Sequence, residues 1–352
     1  MKVLILNRRC VKNSQKGGAE IYTYQIAKGL VEIGWTVEWF SSMESGLLPE
    51  EFIDGIKFIR KGNEFTTHFY GLLYALKKEK DWLIIDEFNG IGYFGFLFKK
   101  SILLIHQIYG EFWIQEFGIL GNLFKFLEKL LLWFYRNRLT ITVSNSTLED
   151  LKKLGFINIK IVPNGLEIEP LENLPKKNKN FTMIYLGRLK KTKNPEDAIL
   201  TFLEVKKQIQ DAKLNIVGTG PLENYLRDKY SSVEGVNFYG YVDELKKYEL
   251  LKESHVLLIP SIREGWGQVV IQANAVGTIV VGYNVPGLRD SILDGKTGYL
   301  VNNVKEMIDK VIFLSKNRDI YEKMQYEALK WAKNFSWEKT KQEFIKILRE
   351  LK

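Results

Sequence analysis

FTMIYLGRLKKTKNP, from Phe181 to Pro195, reads as a strand, a basic loop and the first residue of a helix. Met183–Leu186 is apolar without strict alternation, which predicts a strand covered on both faces. Asn194 is placed to cap, Pro195 suits the first helical position, and Glu196 and Asp197 suit the positive helix end. A second strand, Leu214–Val217, runs into VGTG, Val217 to Gly220. The first half of the chain opens in the same way. MKVLILN is followed by the loop KGGAE (Lys16 to Glu20), a helix over Ile21–Ile33 and another strand. The repeat is one of architecture and not of sequence. It predicts an α/β chain of two Rossmann-like domains facing each other across a cleft.

Other short apolar runs fit this scheme. Val3–Leu6, Val37–Phe40, Trp82–Ile85, Ile102–Ile105 and Ile141–Val143 are expected strands of the first half; Val256–Ile259 and Ile279–Val281 belong to the second. The segment EIEPLENLPKKNKN, Glu167 to Asn180, is polar, carries Pro170 and Pro175 and lacks periodicity, so it reads as a linker. The expected domains are 1–168 and 181–335, joined by a linker over 169–180 and followed by a helix at 336–352. That helix carries Phe344, Ile345, Ile347, Leu348 and Leu351 on one apolar face and is expected to pack on a domain, crossing back to the first. Ser146 with Glu149 predicts a capping box, and Asp243 another helix start.

The 352 residues suit two domains, and 45% hydrophobic with 26% charged residues is ordinary for packed globular cores. Cys10 is the one cysteine, so no intrachain disulfide forms, which fits a reducing compartment. The N-terminal apolar run is too short for a signal peptide. Location in the cytoplasm, at the inner face of a membrane, is the resulting expectation. No stretch reaches the length of a membrane span; the nearest, Phe112 to Tyr135, is broken by Glu116, Lys125, Glu128 and Lys129. A net charge of +9 suits anionic ligands, an anionic membrane or nucleic acid. No basic reading helix, zinc-ligand set or RNA-binding aromatic motif supports nucleic acid as a partner.

Several residues are candidates for chemistry. Gly17 and Gly18, between a strand and a helix, let a ligand approach backbone N–H groups, or form a simple turn. Arg188 and Lys193 lie on the loop after the first strand of the second half, at the carboxyl edge where open sheets bind ligands. A diphosphate fits them there; so does solvent, since Lys190 and Lys191 lie between them. REGWGQVVIQANAVG, Arg263 to Gly277, puts Glu264 in a Gly-rich loop at the same edge, before a helix starting near Val269. Gln272 stands one helical turn beyond Gln268 on one face. His106 ends a strand and suits proton transfer or hydrogen bonding, whereas His68 and His255 read as structural. No metal-binding cluster, G-x-S-x-G loop or P-loop is present, so a protein-bound metal, a hydrolase and a P-loop enzyme are not expected.

Taken in order, these pieces resemble the retaining glycosyltransferases of family 4, which have the GT-B fold. The matching stretches are GGAE (Gly17–Glu20), IVPNG (Ile161–Gly165), LGRL (Leu186–Leu189) and KNP (Lys193–Pro195). VGTGPL (Val217–Leu222), GYV (Gly240–Val242), PSIREGWG (Pro260–Gly267) and VPGLRD (Val285–Asp290) complete the set. The resemblance implies a nucleotide-sugar donor, UDP- or GDP-linked, with no cofactor and no metal. It gives Arg188 and Lys193 the donor diphosphate and lays Gly17 and Gly18 against the donor. Gly240, Tyr241 and Val242 meet the base, with Lys247 nearby. Gly265, Trp266, Gly267, Gln268 and Val269 meet sugar and phosphate through their backbone. Glu264 matches the first Glu of the family's E-x7-E element beside the donor sugar, and His106 matches a histidine that meets the transferred sugar. Gln272 is a departure, since the family usually has a glutamate there, holding the ribose diol. An amide can still pair with a diol, and the expectation is that Gln272 retunes ribose binding and leaves the chemistry intact.

The implied acceptor is a glycan or lipid-linked glycan, held by the first domain. Phe112 to Arg136 is aromatic with scattered cations; it reads either as an amphipathic face on an anionic membrane or as a helix of the domain core. Two other readings of function stand beside the transferase: a catalytically weak homologue that binds sugar nucleotides as a partner subunit, and a nucleotide-sugar epimerase of the same fold. A dinucleotide dehydrogenase is disfavoured because the first loop lacks G-x-G-x-x-G.

Overall fold

The structure is a computed structural model that describes residues 1–78 and 81–351. The chain divides into two compact units, Met1–Gly165 with Trp337–Lys352, and Leu166–Ser336.

Unit 1 runs β1 (Lys2–Leu6), α1 (Gly18–Glu32), β2 (Thr36–Ser41), β3 (Glu50–Ile53), β4 (Ile56–Arg60), α2 (Thr67–Leu76) and β5 (Trp82–Glu87). It continues through β6 (Ser101–Ile105), α3 (Phe112–Phe117), α4 (Gly121–Tyr135), β7 (Thr140–Thr142), α5 (Asn145–Lys153) and β8 (Ile159–Ile161). The described strands form one sheet of order β3-β4-β2-β1-β5-β6-β7-β8. All pairs are parallel except β3 with β4. Val3 to Leu6 are fully buried, as a strand covered on both faces requires.

Unit 2 runs β9 (Thr182–Leu186), α6 (Pro195–Gln208), β10 (Lys213–Val217), α7 (Glu223–Tyr230), β11 (Val236–Gly240), α8 (Glu244–Glu253) and β12 (Val256–Ile259). It ends with α9 (Gln268–Ala275), β13 (Ile279–Tyr283), α10 (Leu288–Ser291), β14 (Gly298–Val301), α11 (Val304–Lys316) and α12 (Arg318–Ala332). Its described strands are all parallel, in the order β11-β10-β9-β12-β13-β14. Both faces carry a core: Met183, Tyr185 and Leu258 pack on one, Ile184, Leu257 and Val280 on the other.

The last helix, α13 (Trp337–Arg349), belongs to unit 1. Its Trp337 and Phe344 meet Tyr22 edge-on, and Thr340 Oγ1 donates to the Pro163 carbonyl at 2.9 Å. The Lys341 stem crosses Gly29 of α1, where a Cβ would come within 2.8 Å of it. Phe344, Ile345, Ile347 and Leu348 are buried as expected, but Leu351 lies past the helix end and is 46% exposed.

Four local expectations are corrected. The segment 169–180 is no free linker. Leu171 N–H donates to the Ala275 carbonyl, Asn178 N–H to that of Glu253, and the half-buried Lys177 donates to Lys252 O and Thr278 Oγ1, so the segment is laced onto unit 2. The cap of α5 is Ser144, whose Oγ accepts from Thr147 N–H, and not Ser146. Asn194 precedes α6 in a left-handed conformation (φ 43°) and makes no side-chain cap. The α1 helix begins at Gly18, before Ile21. Among the strands absent from the sequence reading, β3 and β4 form a hairpin whose turn, Asp54 and Gly55, has φ of 48° and 77°. An Asp-Gly pair between apolar runs is the signal that finds such a turn.

Candidate functional site

Parallel open sheets bind ligands where the strand order reverses, outside the carboxyl ends of the two strands concerned. In unit 2 the chain builds outward from β9 through β10 to β11, then returns to β12 on the other side of β9. The reversal lies between β9 and β12. Lys193 follows β9 and Glu264 follows β12, and the two side chains meet there at 2.5 Å, Lys193 Nζ to Glu264 Oε1. Both are largely covered. Their loops are joined by backbone as well, since Ile262 N–H donates to Thr192 O at 3.2 Å.

The surrounding loops are built with little room. Glu264 N–H donates to Pro286 O, and a Cβ on Gly287 (φ 83°) would come within 2.3 Å of the Glu264 carbonyl oxygen. Gly267, at φ 85°, turns the chain into α9. Across the sheet, Gly218 N–H donates to Gly240 O, and Leu189 N–H to Thr219 O. The VGTG loop therefore braces both the Arg188 loop and the turn at Gly240, itself at φ 66°. Tyr185, beneath the pair, donates its hydroxyl to the Arg188 carbonyl at 2.9 Å. Burial, with the Glu264 charge behind it, raises the Tyr185 pKa and keeps that donor protonated.

The remaining predicted residues of unit 2 fall into two groups. Gly265, Gly267, Gln268 and Val269 lie on the loop and first turn of α9, next to Glu264. Trp266 lies there too, but its ring is buried against Phe335, so only its backbone faces the loop. Tyr241 is 82% exposed beside Val242 at the start of α8. Lys247 is directed to Glu244 on its own helix at 2.6 Å and lies over the Tyr248 ring. Gln272 is 5% exposed, and its Nε2 donates to Glu167 Oε2 at 3.2 Å. Glu167, which the sequence reading assigned only to the linker, also accepts from the Tyr248 hydroxyl at 3.1 Å.

Unit 1 has its own reversal, between β1 and β5. There Glu87, fully buried at the end of β5, accepts from Asn7 Nδ2 and Thr23 Oγ1, each at 2.6 Å. Its other oxygen faces His106 Nε2 at 3.4 Å, and His106 also packs edge-on against Tyr22. Burial raises the Glu87 pKa; His106 and Thr23 oppose that and the Glu20 charge adds to it. The sequence pointed to His106 as a candidate but not to Glu87 beside it, nor to Asn7 and Thr23 that bond Glu87. The polar pair Asp86–Glu87 closing an apolar run was the available signal. The loop after His106 is pinned by Glu128 of α4, which accepts from Tyr109 N–H and Gly110 N–H at 2.8 and 2.9 Å. Gly17 and Gly18 lie at the start of α1; a Cβ on Gly18 would meet no atom within 4 Å.

Among the described residues, no three His, Cys, Asp or Glu side chains converge to hold a metal ion, and no helix is long and apolar enough to cross a membrane. The α3–α4 hairpin keeps both readings of its sequence. Glu128, Leu132 and Tyr135 are buried, while Ile119, Leu120, Leu123, Phe126, Leu130 and Trp133 stand exposed, Ile119 at 90%.

Two family models match the chain: glycosyl transferases group 1 over residues 169–331 and glycosyltransferase family 4 over residues 16–170. A glycogen synthase of Mycobacterium tuberculosis is 28% identical over 166 residues, 45% of this chain and 40% of that protein, so the match spans less than half of that relative's length. A sucrose-phosphate synthase of Thermosynechococcus elongatus superposes with TM-score 0.82 at 19% identity, covering 99% of this chain and 98% of that one. Anabaena HepE, solved in complex with UDP-glucose, superposes with TM-score 0.74 at 16% identity, covering 99% and 100%. At these identities the superpositions show a shared fold, two Rossmann-like domains of the GT-B type.

Proposed function

We propose that this chain, which belongs to the group 1 glycosyltransferases, is a retaining enzyme moving a sugar from a nucleotide-sugar donor, UDP- or GDP-linked, to a glycan or lipid-linked acceptor without a metal ion. The observation that carries this reading is the Lys193–Glu264 pair at the strand reversal of unit 2, with Arg188 on the same loop. Two cations at that edge suit a diphosphate, whose charge grows as the glycosidic bond breaks. HepE holding UDP-glucose in the same fold supports a nucleotide-sugar donor.

In this reaction the bond from the sugar's anomeric carbon to the phosphate oxygen breaks. An acceptor hydroxyl oxygen bonds to that carbon on the same face, and the hydroxyl proton passes to the departing phosphate. Lys193 and Arg188 stabilise the leaving diphosphate. Glu264 orients Lys193 and faces the sugar, and is not a covalent nucleophile. His106, steadied by Glu87, hydrogen-bonds the transferred sugar in this reading.

The exposed face of α4 suits a membrane-held acceptor. Leu123, Phe126, Leu130 and Trp133 recur every three or four residues, with Lys129 exposed among them and the Arg136 guanidinium over the Trp133 ring at 4.1 Å. Anionic lipid complements those charges and places the enzyme at the inner face of a membrane.

The test is calorimetric binding of UDP, GDP and ADP with and without magnesium, followed by a transfer assay reading the anomeric configuration of the product. Metal-independent binding of one nucleotide and a retained configuration are expected. Nucleotide binding without transfer to any acceptor offered would favour the partner-subunit reading, for which the amide at Gln272 is the supporting feature. No binding at all would overturn the donor site.

A further inference from the structure

We propose that Glu167 is a ligand-binding residue of unit 2, the acceptor for a vicinal diol, which under the nucleotide-sugar reading is the ribose of the donor. The proposal rests on that reading for the identity of the ligand and on the Glu167 surroundings for the site itself.

Glu167 lies just inside unit 2, ahead of α6 and β9 in sequence, yet its carboxylate is drawn to α8 and α9. Oε2 accepts from the Tyr248 hydroxyl at 3.1 Å and from Gln272 Nε2 at 3.2 Å. Among the described residues Oε1 accepts no hydrogen bond and no cation pairs with this carboxylate. Lys247, the neighbouring cation, is paired with Glu244 instead. Glu167 is thus an exposed anion fixed in place by two neutral donors. Such a group has no internal reason to be held so firmly, because a solvated carboxylate needs no partners.

What it offers outward is acceptor capacity. A carboxylate takes several hydrogen bonds, and two adjacent hydroxyls present two donors at the right spacing for it. Charge-assisted bonds of this kind are the stronger ones. The placement agrees. Tyr248 follows the Gly240–Val242 turn on α8, and Gln272 is one turn beyond Gln268 on α9, so the cluster adjoins the loops that carry Glu264. Burial and the Glu167 charge raise the Tyr248 pKa, which keeps its hydroxyl a donor. Gln272 fits this arrangement because a carboxylate at that position would face Glu167 with like charge, whereas an amide donates to it. The negative charge is supplied from the segment at 167 and the amide steadies it.

The experiment is calorimetry on the full chain with UDP, GDP and ADP, and with the 2′,3′-dideoxy form of whichever binds. The wild type should favour the ribose form by about tenfold. Glu167→Gln should lose roughly that factor on the ribose form and leave the dideoxy form unchanged. Glu167→Gln combined with Gln272→Glu should recover the discrimination, which also guards against simple misfolding. Equal affinity of the wild type for both forms, or equal loss on both in Glu167→Gln, would overturn the proposal and leave the donor site standing. No nucleotide binding by the wild type would overturn both.

Discussion

Lys193 Nζ and Glu264 Oε1 lie 2.5 Å apart although 71 residues separate them in sequence. The sheet order brings them together: β9 and β12 are neighbours, and each residue stands on the loop leaving its strand's carboxyl end. The pair is largely shielded from water, so it couples more strongly than a surface ion pair. It also divides the lysine's charge between a carboxylate of the chain and any anion that binds.

That division gives a prediction of two opposite signs. Glu264→Gln frees the Lys193 ammonium, so nucleoside diphosphate binding should tighten by several-fold, on the order of 1 kcal/mol. Transfer should fall by roughly 10²-fold, because the lysine loses the partner that aims it at the leaving oxygen. Lys193→Met should weaken both. Calorimetry beside steady-state rates separates these outcomes, and weaker binding in Glu264→Gln would contradict the shared-charge account.

Gly287 is the second test of how the loop is held. At φ 83° it sits where a side chain is strained, and its Cβ would strike the Glu264 backbone. Gly287→Ala should cost about 1–3 kcal/mol of stability and shift Glu264 away from Lys193. Transfer should drop well beyond what partial unfolding explains, as read by comparing rates with the folded fraction from circular dichroism.

Much of this architecture was legible in the chain itself. FTMIYLG and MKVLILN announce buried parallel strands because both faces of such a strand must be apolar, and the loops after them carry the polar residues. Arg188, Lys193 and Glu264 were readable for that reason. Glu167 was not, because its partners lie 81 and 105 residues away and no local pattern encodes them; at Glu87 the Asp86–Glu87 pair marks the position but not its partners Asn7 and Thr23. The 169–180 segment misled for a related reason. Its prolines and lysines look solvated, yet Lys177 is half-buried, its ammonium held by the Lys252 carbonyl and Thr278 Oγ1, which lie 75 and 101 residues away in sequence.

Lys177 makes the stability of unit 2 depend on pH. Burial lowers its pKa from 10.5 to about 7. Between those values the unfolded chain holds the extra proton, so stability rises with pH, and below pH 7 the buried ammonium is at its most costly. From pH 7 to 9 the gain should be on the order of 2–3 kcal/mol. His255, whose pKa burial and the nearby Lys177 charge lower from 6.5 to about 4, adds a gain of the same sign as pH rises from 4 to 6.5. Urea denaturation followed across this range should show both limbs. Lys177→Met should flatten the limb above pH 7 and shrink the one below, since the Lys177 charge supplies part of the His255 shift; a wild-type midpoint that falls between pH 7 and 9 would contradict the assignment.

The α4 surface gives a prediction in which stability and function part company. Ile119 and Leu120, just ahead of α4, and Phe126 and Trp133 on it are exposed, so they contribute little to folding, and replacing them should leave the melting temperature nearly unchanged. Core residues of the same helix behave otherwise: Leu132→Ala should cost about 2–5 kcal/mol. If the exposed face rests on lipid, each buried apolar side chain contributes roughly 1.5–3 kcal/mol to adsorption. Ile119→Ser with Phe126→Ser should then abolish flotation with vesicles rich in phosphatidylglycerol while leaving nucleotide affinity as in the wild type. High salt should weaken wild-type flotation as well, since the Lys129 and Arg136 charges act through a screened field. A wild-type chain that stays with the pellet at low salt would remove the membrane from the proposal and leave the acceptor a soluble glycan.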